Sequence, residues 1–83
     1  MAVQESLEQA IHAVAPSATI NLRLINGHLS GMVVAKEFDD MTHLDRQRSI
    51  WKRIRQDLGT EAAEVGMLLL NSPEEADAVE GEE

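Results

Sequence analysis

Few residues in this 83-residue chain have the chemistry to bind or cleave a ligand. It contains no cysteine, which excludes a thiolate nucleophile, a disulfide bond and a cysteine metal site. Its serines stand in no nucleophile-elbow pattern, and it lacks a phosphate-binding loop, a dinucleotide fingerprint and a His-Glu-x-x-His helix. We therefore predict that the protein is not an enzyme.

The three histidines, His12, His28 and His43, are too far apart in sequence for two of them to ligate one metal ion from neighbouring helical turns. His12 ends a predicted helix and His43 begins another, so both are expected at the surface. His28 follows an Asn26-Gly27 turn in a predicted hairpin loop. On the sequence alone, a plain solvent-exposed loop histidine is the favoured interpretation of this residue.

Five of the seven basic residues form a cluster between positions 46 and 55. Such a cluster can neutralise phosphates of a DNA duplex, with a steep dependence on salt, or dock an acidic partner protein. In a helix these charges point to two sides, and acidic neighbours such as Asp45 and Asp57 offset them. A solvated charged surface therefore stays open beside the two binding alternatives. The cluster comprises Arg46, Arg48, Lys52, Arg53 and Arg55.

The basic cluster lies on a helix predicted between Thr42 and Gly59. Thr42 is a favourable N-cap with Asp45 three residues later, and Gly59 can adopt the left-handed conformation that ends helices. At 100° per residue, five apolar side chains fall within one arc about a third of the circle wide, which predicts a core-facing stripe. These are Leu44, Ile50, Trp51, Ile54 and Leu58.

Hydrophobic periodicity predicts the remaining elements. Residues 2–14 have the spacing of an amphipathic helix, and alternation over residues 18–25 predicts a half-buried strand. After a hairpin loop longer than two residues, residues 32–38 form the return strand. The apolar run 65–70 does not alternate, which predicts a strand covered on both faces and parallel to a neighbour. Short helical turns are expected near residues 39–43 and 60–64.

This order predicts one small α+β domain, α-β-β-α-(α)-β, with a three-stranded mixed sheet and helices on one face. The net charge is −8, but residues 74–83 carry six acids and no base, which leaves −2 for residues 1–73. We predict a folded domain over residues 1–73 and a disordered acidic tail over residues 74–83. No apolar run is long enough to span a membrane, so a cytoplasmic protein without a membrane partner is expected.

The stretch Phe-Asp-Asp-Met-Thr at 38–42, followed by Leu-Asp-Arg-Gln-Arg-Ser-Ile-Trp at 44–51, resembles the turn and basic helix of the BolA-like family. The chain is closer to the IbaG branch of that family, and the resemblance extends over residues 1–73. It implies a fold similar to the type II KH fold. Asp40 occupies the position where the family turn usually has a glycine, and Asp tolerates positive φ better than most residues.

The resemblance implies a non-catalytic adaptor that pairs with a monothiol glutaredoxin and shares a [2Fe-2S] cluster with it. The processes implied are iron–sulfur trafficking, iron sensing or stress response. His28, ten residues before Phe38, matches the loop position implicated in ligating the cluster, whereas Glu64 stands where the family has a second histidine. The alternative is a DNA-binding transcription regulator that uses the basic helix 44–58. A weak homodimer is a further expected association.

Overall fold

The computed structural model describes residues 3–81, with side chains described for residues 3–77. Thr42 caps the central helix as predicted, because its Oγ1 accepts the Asp45 N–H at 3.1 Å. Two short 3₁₀ helices occupy Lys36–Asp40 and Gly59–Glu64, close to the predicted turns. The longer elements, in chain order, are α1 (Val3–Val14), β1 (Thr19–Ile25), β2 (His28–Val34), α2 (His43–Leu58), β3 (Val65–Asn71) and α3 (Pro73–Gly81).

The three strands form one mixed sheet with β2 in the centre. β1 is antiparallel to β2 and β3 is parallel to it, which confirms the predicted fold class. The hairpin between β1 and β2 is tighter than predicted. Ile25 pairs with His28 around a two-residue Asn26-Gly27 turn, in which φ is 51° and 81°. Positive φ at both residues is typical of a type I′ turn, which favours Asn-Gly and whose twist matches that of the strands. β2 therefore begins at His28 and not at Met32.

Helices α1 and α2 cover one face of the sheet, and the core lies between them. The largest fully buried side chains come from both helices, from β2 and from the first 3₁₀ helix: Leu7, Ile11, Val33, Phe38, Ile50 and Ile54. Leu58 is also buried and Trp51 packs partly against the core, as the stripe predicted. Leu44 is the exception, because 58% of it is exposed at the first turn of α2.

β3 is parallel to β2, as its apolar sequence predicted, but it is covered on one face only. Val65, Leu68 and Leu70 are buried beneath the helices, whereas Met67 and Leu69 point to the opposite side and are largely exposed. The prediction of cover on both faces is wrong because both core helices pack on the same side of the sheet. The second face of this strand, at Met67 and Leu69, is therefore an exposed apolar surface.

The acidic segment after Asn71 begins as a helix in the structure, where the sequence predicted disorder. The Ser72 side chain accepts the Glu75 N–H at 3.3 Å, and the Glu75 carboxylate accepts the Ser72 N–H at 2.8 Å. This reciprocal pair is a capping box, and Pro73 occupies the first helical position, where its missing N–H has no cost. Residues 82 and 83 of the predicted tail lie outside the described residues.

No helix within residues 3–81 combines the length and the apolar character needed to cross a membrane.

Candidate functional site

His28 is the first residue of β2 and lies at the end of the sheet where β3 also begins. In the parallel register Leu29 pairs with Val65, so the preceding positions, His28 and Glu64, lie at the same end of the sheet. The two positions at which the BolA resemblance expects metal ligands are therefore at one end of the sheet, although they are far apart in sequence. The prediction of a ligand role for His28 itself stays a prediction.

The imidazole of His28 is exposed, and one of its nitrogens is held by the hairpin. Nδ1 lies 3.1 Å from the carbonyl oxygen of Asn26. A carbonyl only accepts, so Nδ1 carries the proton and donates, which leaves the Nε2 lone pair of the neutral ring available. A histidine fixed in this way through its second nitrogen is the usual arrangement for a metal ligand.

A local irregularity in the β2–β3 ladder packs the backbone of β3 close to His28. The register shifts between the Leu29 and Gly31 pairs, so β3 carries one extra residue there. Ser30 Oγ compensates by accepting the Met67 N–H at 3.2 Å. A Cβ at Gly66 would collide with Ser30 Oγ and lie 3.2 Å from the Cβ of His28, so glycine permits this close approach.

The chemistry of these donors fits one ligand position of a shared iron–sulfur cluster, and not a complete set. Iron–sulfur clusters are held mainly by cysteine thiolates, and histidine replaces thiolates on one iron in some [2Fe–2S] centres. The described residues contain no group of three or more His, Cys, Asp or Glu side chains able to hold a metal ion. This chain can supply the His28 imidazole, the Glu64 carboxylate at the same end of the sheet is a harder ligand, and the other ligands would have to come from a partner.

The structure removes Arg46 from the predicted docking cluster. Arg46 is only 4% exposed, because its guanidinium is enclosed by the first 3₁₀ helix, β3 and the start of α3. Its Nε donates to the Phe38 carbonyl at 3.0 Å, and its Nη1 donates to the Leu70 carbonyl at 3.1 Å and to the Glu75 carboxylate at 2.6 Å. The prediction of a docking role for this residue is wrong, because the side chain is buried. The sequence did not indicate this, since a helix with bases on several sides gives no sign of which base points inward.

The other four bases of the cluster remain at the surface of α2. Arg53 pairs with Asp57 at 2.9 Å, one helical turn away, and Arg55 Nε donates to the Trp51 carbonyl at 3.3 Å. Arg48 and Lys52 are exposed and make no hydrogen bond or ion pair among the side chains of residues 3–77. Their predicted role in binding DNA or a partner stays a prediction.

Helix α2 also covers the outer edge of β3. Gln47 donates to the Leu68 carbonyl at 3.0 Å and accepts from Trp51 Nε1 at 3.0 Å, while Arg46 donates to the Leu70 carbonyl. Because successive α2 residues contact β3 in the reverse direction, the two elements are antiparallel. The later half of α2, with Lys52, therefore lies toward the end of the sheet that holds His28.

The other two histidines lie elsewhere. His12 Nε2 is 3.0 Å from the Ala18 carbonyl, between α1 and β1. His43 Nε2 is 3.7 Å from Glu75, at the start of α2, and most of its side chain is exposed. Both are surface residues, as predicted, and the Ala18 carbonyl rather than the end of α1 is the partner of His12.

One group of side chains was missed by the sequence prediction. Glu75, from the segment predicted to be disordered, joins Arg46 and Ser72, and the Arg46 guanidinium followed by the Ser72 N–H lowers the pKa of the Glu75 carboxyl to about 2. The signal was present in Ser72-Pro73-Glu74-Glu75, which has the pattern of a capping box with proline at the first helical position.

No protein-family model matches the sequence, and no curated protein matches it. Among the solved structures that share its fold, BolA1 from Arabidopsis thaliana has a TM-score of 0.70 at 15% identity, over 90% of this chain and 96% of that chain. A bol-like protein from Babesia bovis has a TM-score of 0.59 at 15% identity, over 96% of this chain and 95% of that chain. The chain therefore has the fold of BolA proteins, as the resemblance implied. Membership of the IbaG branch stays a prediction.

Proposed function

We propose that this chain is a BolA-like, non-catalytic adaptor that pairs with a monothiol glutaredoxin and shares a [2Fe-2S] cluster with it. The observation that carries the proposal is the placement of His28. Its Nδ1 is held by the Asn26 carbonyl, its ring is exposed, and it lies at the end of the sheet where β3 begins, just after the Glu64 position. The BolA fold of the chain supports the same assignment.

In this proposal His28 is the ligand that the chain contributes through Nε2, and the other ligands come from the partner's cysteine and from glutathione. The cluster, when bound, supplies the electron-transfer and iron-transfer chemistry of the complex. Glu64 lies where a second imidazole would be expected and offers a carboxylate in its place, which is a harder ligand for iron. The chain's own task is to orient one imidazole toward the partner.

The exposed bases of α2 would contribute docking contacts to the partner. Arg48 and Lys52 are exposed at four-residue steps from the apolar side chain of Leu44. Basic groups around an apolar residue suit a partner surface with acidic residues around an apolar patch. The complex would serve iron–sulfur trafficking, iron sensing or stress response in the cytoplasm.

The test is a titration of the protein into cluster-loaded monothiol glutaredoxin, followed by visible absorption and circular dichroism. We expect a spectral change that saturates near one-to-one and that His28→Ala abolishes. His43→Ala is the matched control, because His43 is also an exposed histidine but lies at the other end of β3, near Glu75. It should behave as the wild type.

The Glu64→His variant tests the neighbouring position. A second imidazole at the same end of the sheet as His28 should alter the visible circular dichroism of the complex and slow the loss of its cluster, because imidazole is the better iron ligand. If the folded wild-type protein produces no spectral change, the proposal that it shares a cluster with the glutaredoxin is wrong. A change that survives in His28→Ala would show that another residue is the ligand.

A further inference from the structure

The sheet face opposite the core helices is apolar, and none of its strand residues is acidic. Met67 is 71% exposed, Leu69 50% and Ile25 48%. Together with Met32 they line a shallow depression of about 780 Å³ across all three strands. The chain contains fifteen acidic residues, yet none of them belongs to a strand. Exposed methionine and aliphatic side chains without surrounding acids are typical of the centre of a protein interface.

His28 lies on this same face, at the hairpin end. Leu29 and Val33 of β2 pack in the core. Because side chains alternate along a strand, His28, Ser30 and Met32 point to the other side of the sheet. Ser30 and Met32 line the depression. A partner that brings a cluster to the exposed His28 ring therefore approaches the side of the sheet that carries the depression.

The other end of the face is bounded by α3. Ala76 and Asp77 of that helix line the space beside Thr19 and Val34. The depression itself is lined by strand residues throughout. The surface that a partner can cover therefore extends from the hairpin end, with His28, as far as α3.

We propose that this surface is the docking site of the cluster-bearing partner, an inference that rests on the proposed function. An apolar patch beside the partner's cluster would cover Ile25, Met32 and Met67, while His28 provides its imidazole at the edge of the contact. The docking site and the ligand are then parts of one continuous surface. The bases of α2, on the helical side of the sheet, contribute less.

The charge of the face suits this partner. A cluster ligated by thiolates is anionic, and a chain with a net charge of −8 opposes its approach. The acid-free strands minimise that repulsion locally. Arg23 pairs with Ser30 in the ladder and lines the depression, so it places a base close to the incoming cluster.

The size of the face indicates a transient contact. Three strands of seven residues, at about 4.8 Å between strands and about 3.3 Å per residue, cover roughly 300 Å². A standard interface buries about 800 Å² on each partner, and weak redox and signalling encounters bury less. The apolar contacts therefore position the partner, and the ligand bond from His28 contributes to holding it.

The first test is a titration of the protein into cluster-loaded monothiol glutaredoxin, with the half-saturating concentration read from visible circular dichroism. Met67→Glu should raise this concentration at least about tenfold, because a charge would be buried against an apolar patch. The spectrum at saturation should not change, since His28 is intact. Leu24→Glu is the matched control, because Leu24 is 70% exposed but in phase with Ile20 and Leu22, which pack against the core. It should titrate as the wild type, and an unchanged midpoint in Met67→Glu would overturn the docking site.

Amide chemical shifts of the isotope-labelled wild type, followed in the same titration, separate this inference from the proposed function. We expect the changes at Ile25, Ser30 and Met67. Changes confined to α2, together with a visible spectral change, would overturn the docking site and leave cluster sharing intact. Changes on the sheet face without a spectral change would support the docking site and contradict cluster sharing. No change of either kind would overturn both.

Discussion

Arg46 joins three segments that are distant in sequence. Its guanidinium donates to carbonyls of the first 3₁₀ helix and of β3 and to the carboxylate of Glu75 in α3, and it lies 5.7 Å from the centre of the Phe38 ring. The three hydrogen bonds use two different nitrogens, Nε and Nη1, which the planar guanidinium holds in a fixed geometry. A buried arginine in such a site acts through its shape as well as its charge.

Replacing Arg46 by lysine should therefore destabilise the protein although the charge is kept. The single ammonium cannot replace both Nε and Nη1, so either the Leu70 carbonyl loses this donor or the Phe38 carbonyl keeps only the Met41 N–H, at a cost of about 1–3 kcal/mol. Urea unfolding of Arg46→Lys would measure the loss. Arg48→Lys, at the exposed surface of the same helix, should change stability by less than about 0.5 kcal/mol. Equal effects in both variants would contradict the structural role.

The attachment of α3 should depend on pH through Glu75. Its pKa in the folded protein is about 2, below the ordinary value of 4.5, because Arg46 and the Ser72 N–H stabilise the ionised form. The ionised carboxylate thus stabilises the fold above about pH 4.5, and this contribution is lost as the pH falls toward 2.

Thermal unfolding midpoints measured between neutral pH and pH 2 would test this dependence. Glu75→Gln should lower the midpoint at neutral pH and make its decline on acidification shallower than in the wild type. Glu74→Gln is the control, because Glu74 is exposed in the same turn of α3. It should follow the wild-type curve. Other carboxyls, such as Glu37 with its pKa lowered by the Ser17 hydroxyl, contribute to all three proteins alike.

The elements were predictable where a pattern is local. The apolar spacing of α2, the Thr42 cap and the alternation of β1 are each contained in a few adjacent residues, and all three appear in the structure. The cover over β3 was not predictable, because an apolar run does not reveal on which side the helices pack. The α3 helix was missed for a different reason. Its acidic composition suggested disorder, whereas its start depends on a capping box and on a distant arginine.

The candidate site, like the fold, could be predicted only in part from the sequence. His28 was identified from its spacing to Phe38 and a family resemblance, and the structure adds that Asn26 holds one ring nitrogen. The placement of His28 and Glu64 at one end of the sheet depends on the β2–β3 register, which contains an irregularity where Gly66 approaches His28. No local signal in the sequence specifies a register across a crossover helix, because the contacts that set it are distant in the chain.

At the scale of the whole molecule, charge is distributed unevenly over separate surfaces. The exposed bases of α2 lie on the helical side of the sheet, the acidic start of α3 lies at one end of it, and the open apolar face lies on the other side. A partner therefore meets different chemistry on each side. The net charge of −8 opposes approach to any polyanion, while the local bases of α2 favour it only at short range.

This balance predicts that the protein does not bind random duplex DNA at physiological salt. Arg46 is buried, Arg53 is paired with Asp57, and Arg55 Nε donates to the Trp51 carbonyl. Of the five bases in the α2 cluster, only Arg48 and Lys52 are exposed and form no hydrogen bond or ion pair within residues 3–77. Fluorescence anisotropy with a labelled duplex over a salt series would measure the binding.

A duplex-binding helix that used the four surface bases would give a slope of roughly −3 to −4 in log K against log salt concentration. Such a slope, lost in the Arg48→Glu and Lys52→Glu double variant but kept in Lys36→Glu, would contradict the prediction and favour a DNA-binding regulator. A flat response leaves the α2 surface to a protein partner. The same bases can contribute to a protein interface with fewer contacts. An acidic patch on a partner is smaller than a phosphate backbone and has fewer condensed counterions to displace.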